Sequence, residues 1–164
     1  AYRRLERPYT RISKFRKKSF IRARPHSKIV RFDMGNVKKE FSDTMRLIAR
    51  SDHQIRHNAI ESARLAANRI LEKKLGKSEF HFKINIYPHH ILRENPLASG
   101  AGADRMSTGM KKSFGKAIGS AARIRTDQTL FTVKFAMQNE KVAKTALKRA
   151  SQKLPQSYKI LTEK

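Results

Sequence analysis

The sequence predicts an α+β fold: a two-layer sandwich, with two helices covering one side of a mostly antiparallel sheet. Two periodicities and the chain length carry this prediction. Phe80, Phe82, Ile84 and Ile86, and again Phe131, Val133 and Phe135, alternate with polar residues as half-buried strands do. Ile55, Ala59, Ala63, Ala66, Ala67 and Ile70 recur at helical spacing, as do Val142, Ala143, Ala146, Leu147 and Ala150. A length of 164 residues suits one ordinary domain with a tail. The expected division is an extended basic segment, residues 1–27, and a single α+β domain, residues 28–164. A loop, residues 98–120, protrudes from that domain.

The basic segment carries Arg3, Arg4, Arg7, Arg11, Lys14, Arg16, Lys17, Lys18, Arg22 and Arg24, opposed by Glu6 alone. Like charges this dense repel one another, so the segment is expected to be extended or disordered in isolation. Tyr2, Tyr9, Phe15 and Phe20 are interleaved with the cations, and their rings suit stacking on bases or packing in crevices.

Ile29, Val30 and Phe32 suggest a short strand ended near Gly35 and Asn36. A second strand follows Phe41, where Met45, Leu47 and Ala49 alternate with polar neighbours. Ser51 with Gln54 three residues on matches a capping box for the Ala-rich helix. Lys73 and Lys74 complement the dipole at its end and Gly76 stops it. The strand from Phe80 ends at Pro88, and His89 to Pro96 leads into the loop. Beyond the loop, Ala122 and Ile124 point to one face of a strand, and Arg123 and Arg125 to the other. Asp127 and Gln128 make a turn into the Phe131–Phe135 strand. Asn139 caps the last helix, which Pro155 terminates, and Tyr158 and Ile160 add an edge strand.

Five of the seven glycines lie in the loop: Gly100, Gly102, Gly109, Gly115 and Gly119. Between them sit Arg105, Lys111, Lys112 and Lys116, opposed by Asp104. An irregular stretch of about twenty residues inside a compact domain is uncommon and is usually functional or disordered. Stretched out and back, it would reach roughly 30 Å. It reads as a basic finger held toward a polyanion, its glycines allowing close backbone approach.

Charge supports that reading. Thirty-eight Lys and Arg against thirteen Asp and Glu leave a formal charge of +25, which implies a polyanionic partner such as nucleic acid. The chain has no cysteine, which removes disulfides, thiolate zinc sites and cysteine nucleophiles. No apolar window approaches a membrane span. Several catalytic motifs are approached and missed. Gly109 to Lys116 has the wrong glycine spacing for a phosphate loop and ends on Ala117, where a hydroxyl is needed; Arg105 replaces the third glycine of a dinucleotide fingerprint. His53 and His57, four apart, mimic zinc-protease spacing, but Gln54 stands where the general base belongs. These histidines, with His81, His89 and His90, are expected to be solvated or RNA-facing. The acids are scattered, without an acid–base pair. No zinc-finger, basic-zipper or RNP signature is present. No enzyme activity, metal, cofactor or small-molecule substrate is expected. Shape-based RNA binding fits better than sequence-specific DNA reading.

One run is more specific than composition. NPLASGAGADRMSTGMKKSFGKAIGSAARI, Asn95 to Ile124, resembles the L-sixteen family of large-subunit ribosomal proteins in its archaeal and eukaryotic form, L-ten-e. FHFKINIYPHHILR at Phe80 to Arg93, KIVRFDMGN at Lys28 to Asn36 and the Arg-rich start follow the same layout, so the resemblance spans nearly the whole chain. Ala117 departs from it, standing where the family would place a proline. The resemblance implies an α/β-hammerhead-type domain in the cytoplasm, seated on large-subunit rRNA near the aminoacyl-tRNA site. Its other expected partners are tRNA and neighbouring large-subunit proteins. It implies that loop 100–119 points toward the peptidyl transferase centre and tRNA, with Arg93, Arg123 and Arg125 as flanking RNA contacts. A free RNA- or tRNA-binding protein outside the ribosome is the alternative.

Overall fold

The computed structural model describes residues 3–163, apart from the side chain of Asp104; the Tyr2 ring invoked above lies outside the described residues. Eight strands are formed among them: β1 Asp33–Gly35, β2 Asp43–Ala49, β3 His53–Arg56, β4 Phe80–Ile84, β5 His90–Glu94, β6 Lys116–Ile124, β7 Thr129–Phe135 and β8 Tyr158–Glu163. The α-helices are α1 His57–Leu75, a single turn α2 Ala103–Met106, and α3 Glu140–Ser151. The fold is an open α+β sandwich. Its strands divide between two antiparallel sheets, where one sheet was expected: β1-β4-β7-β2-β8 and β3-β6-β5.

The larger sheet forms for the reason the alternation gave. Phe80, Phe82 and Ile84 on β4 stand opposite Phe135, Val133 and Phe131 on β7, and all six are buried. Met45 and Leu47 extend this apolar face across β2. Ile60, Ala63, Ala67 and Leu71 of α1, and Ala143, Ala146, Leu147 and Ala150 of α3, complete the core over it. The small alanines let the two helices lie close to each other as well as to the sheet. Gly76 ends α1 with φ 78°, its N–H donating to Glu72 O at 3.1 Å.

Four local expectations are corrected. Ile29, Val30 and Phe32 form no strand, because α1 side chains take up backbone donors there: Lys28 N–H donates to His57 Nδ1 (3.2 Å) and Val30 N–H to Glu61 Oε2 (3.4 Å). The pairing segment is instead β1. There is no capping box at Ser51 and Gln54, since residues 53–56 are β3, paired with Ile124 to Ala121, and α1 starts one turn later without a side-chain cap. A strand buried on both faces shows no alternation, so its apolar residues were absorbed into the helical period. β5 forms where the sequence reads as connection: Ile91 and Leu92 are buried and pair with β6. Finally, Asn139 precedes α3 without a side-chain cap bond, and α3 ends at Ser151, before Pro155. There Lys153 N–H and Leu154 N–H bond back to Ala150 O and Ser151 O.

Candidate nucleic-acid interface

β5 and β6 form the hairpin that carries the loop. Their ladder shifts register between Leu92 and Arg93, so Ile118 is the extra residue between the Leu92–Gly119 and Arg93–Ala117 pairs. The strand reaches out to Lys116, so residues 116–120 belong to β6 and the irregular part is shorter than expected. It is also more compact: α2 and a 3-10 turn, Gly109–Lys112, replace two stretched limbs. Helical backbone rises about 1.5 Å per residue, less than half the extended value.

The loop glycines do different things. Gly100, Gly102 and Gly109 take φ 114°, 81° and 61°, a left-handed backbone that disfavours side chains, with open space around them. At Gly115 (φ 88°) a Cβ would stand 3.0 Å from backbone atoms of Glu94, so this glycine closes the neck of the loop. Gly119 is ordinary strand. Across the neck, Asn95 Nδ2 donates to Gly109 O at 3.3 Å.

Arg105, Lys111, Lys112 and Lys116 are all exposed, and none of their side chains makes a hydrogen bond or ion pair among the described residues. Lys116 stands opposite Glu94 across the ladder. Leu97, Met106, Met110 and Phe114 are exposed among them, Met106 to 85%. These apolar residues carry as much of the loop's character as the cations do, and the charge count passed over them.

The three flanking arginines are engaged within the chain. The Arg93 guanidinium lies 3.9 Å from the Phe114 ring centre and 4.8 Å from that of Tyr9, and Nη1 donates to Phe114 O at 3.2 Å. Arg93 thereby clasps the basic segment to the neck of the loop. Arg123 Nε donates to Glu6 O at 3.2 Å, and Arg125 pairs with Asp52 at 3.0 Å. Hydrogen bonds from the Thr126 hydroxyl and N–H, and then from Arg125, hold the Asp52 carboxyl at about 2, well below the usual carboxylate range.

The ten cations named in the basic segment are exposed, and the backbone between them is tied down. Gln54 N–H donates to Arg3 O and Ile91 N–H to Tyr9 O, both at 3.0 Å; Ile21 and Ile29 are buried. Histidines supply two further ties; of the five expected to face solvent or RNA, His89 is exposed and the other four are buried. Tyr9 N–H donates to His90 Nδ1 at 2.9 Å, as Lys28 N–H does to His57 Nδ1. Both rings accept at Nδ1 and are therefore neutral there. Burial pushes both below the ordinary histidine value, helped at His57 by Arg56 and Lys28; at His90 it outweighs the opposing pull of Glu6. His53 and His81 are buried as well, His53 between Ser51 O and the Tyr158 hydroxyl, His81 against Asp33. His53 lies on β3 and His57 on α1, so the two share no helix face. The described residues hold no group of three or more His, Asp or Glu placed for a metal, and no described helix is long and apolar enough to cross a membrane.

The profile of the family described as "Ribosomal protein L16p/L10e" matches residues 10–161. The chain belongs to this family. It is a family of ribosomal proteins and not of enzymes. Among its relatives, the protein named large ribosomal subunit protein uL16 of Methanococcus aeolicus is 45% identical, over 99% of this chain and 91% of its own length. Those of Archaeoglobus fulgidus (43% identical; 99% and 90%) and Methanocella arvoryzae (43%; 92% and 87%) carry the same name. The match covers both layers of the sandwich, the loop and most of the basic segment.

Proposed function

We propose that this protein is a structural constituent of the large ribosomal subunit that binds its rRNA near the aminoacyl-tRNA site, its loop 100–119 directed toward the peptidyl transferase centre and tRNA. Residues 1–27 serve as the extended rRNA-binding segment, residues 28–164 as the domain that carries the loop. The observation that supports this most is the loop itself: four exposed cations without partners among the described residues, on a neck fastened by Arg93, Gly115 and Asn95. Charges held out in that way add nothing to folding, and neutralising RNA phosphates gives them a role. The exposed methionines and Phe114 suit the faces of unstacked bases. Peptide transfer belongs to RNA in this scheme, and the protein stabilises the shape that RNA holds.

Sedimentation tests the assignment. The protein should travel with the large subunit through a high-salt wash, and a chain recovered free of ribosomes would mark a free RNA- or tRNA-binding protein instead. For the loop, Arg105→Ala or Lys112→Ala should impair tRNA accommodation or subunit assembly while leaving the melting temperature unchanged. An equal loss of folding stability would make the loop a structural element.

A further inference from the structure

A cavity of about 370 Å³ opens where the start of α1 meets the chain just beyond α3, on the side of the domain lined by Arg3, Gln54, Arg56, Asn58, Lys153 and Leu154. Gln54, on β3, is 1% exposed, and neither its Nε2 nor its Oε1 has a hydrogen-bond partner among the described residues. Its backbone N–H donates to Arg3 O at 3.0 Å, so the side-chain amide is not needed to hold the strand in place. A buried amide without partners is costly, and folds keep few of them. The rim is cationic through exposed Arg3 and Lys153. The start of α1 adds the positive end of its helix dipole, with Ala59 N–H already donating to Asn58 Oδ1 at 2.9 Å.

We propose that this cavity receives one unpaired nucleotide of the bound RNA, the Gln54 amide turning out of its closed position to meet the base edge, with the phosphate among Arg3, Lys153 and the first turn of α1. A primary amide presents a donor and an acceptor side by side, the pattern that pairs bidentately with a base edge and best with adenine. A bare anion would use the cations and the helix start but would leave Oε1 without a donor. The volume lies at the lower end of small-molecule sites, which run from roughly 300 to 1,000 Å³, and it fits a splayed-out nucleotide rather than a duplex. The inference rests on the RNA-binding reading above and adds to it a base-reading pocket away from the loop.

The test uses the full chain bound to isolated large-subunit rRNA, with nucleotide reactivity read by dimethyl sulfate and by 2′-hydroxyl acylation. Wild-type protein should protect one isolated unpaired nucleotide apart from its broader footprint. Gln54→Leu should lose that single protection, keep the rest, bind about tenfold more weakly and melt no lower than wild type, since leucine strands no polar atoms. Lys153→Glu, on the exposed rim, should lose the same protection, and it decides the matter if the Gln54 variant does not fold. Footprints of both variants identical to wild type would overturn the pocket and leave RNA binding standing. If wild-type protein changed no reactivity anywhere, the RNA reading would fall and the pocket with it.

Discussion

Replacing Arg105, Lys111, Lys112 and Lys116 together by alanine separates binding from folding. Each cation that neutralises a phosphate contributes roughly 0.7–0.9 to the slope of log affinity against log salt. Four such contacts should therefore flatten the slope for large-subunit rRNA by about 3. The four side chains are exposed, three on the loop and one at the first residue of β6, and none has a partner among the described residues to lose. Substitutions at such positions change stability by about 0.5 kcal/mol or less each. Fluorescence anisotropy across a salt series gives the slope, and thermal unfolding of the same preparations gives the control. Arg125→Ala is the contrasting variant, because its charge is already matched to Asp52 at 3.0 Å; its effect on the slope should be well under one unit. An unchanged slope in the fourfold variant, or a melting temperature falling in step with affinity, would refute the separation of loop from fold.

Gly35→Ala should destabilise the domain by about 3 kcal/mol, measured by urea unfolding, because φ is +83° and a Cβ would lie 2.1 Å from Phe80 O; a loss below about 1 kcal/mol would show that β1 can shift away. Arg93→Ala removes a cation held between two rings, worth about 1–2 kcal/mol, so the amide of Ile91, which donates to Tyr9 O, should exchange about tenfold faster while buried amides of β7 do not change. Acid should loosen the basic segment. The folded values of His57 and His90 lie below the ordinary 6.5, so the unfolded chain takes up protons first as pH falls; stability is complete above about pH 6.5 and is lost below it. Melting temperature should drop between about pH 7 and pH 5 and the drop should shrink in the double variant His57→Gln, His90→Gln; equal curves would assign the pH dependence elsewhere.

The sequence by itself determined the α+β class, the long strands, both main helices, and the position and charge of the loop. Each of these is written in local order: Phe80 to Ile84 alternates along one strand, and Ala63, Ala67 and Leu71 fall on one helix face, whatever else the chain does. Tertiary structure decided what lay between them. That His53 to Arg56 is strand follows from pairing with Ile124 to Ala121, nearly seventy residues away, and burial on both faces erases the period a reader would use. The fastening of the basic segment is equally non-local. Tyr9 meets His90, Lys28 meets His57 and Arg93 stacks on Tyr9, so cations that repel in sequence are spaced along a backbone whose donors and acceptors the domain already holds. The loop's neck was invisible for the same reason, since Gly115 is required by its φ of 88° and by the closeness of Glu94 across the hairpin. Side-chain period records which face of an element is buried; which element covers it, and which buried amide or ring is left to bind something else, exists only once distant segments are brought together.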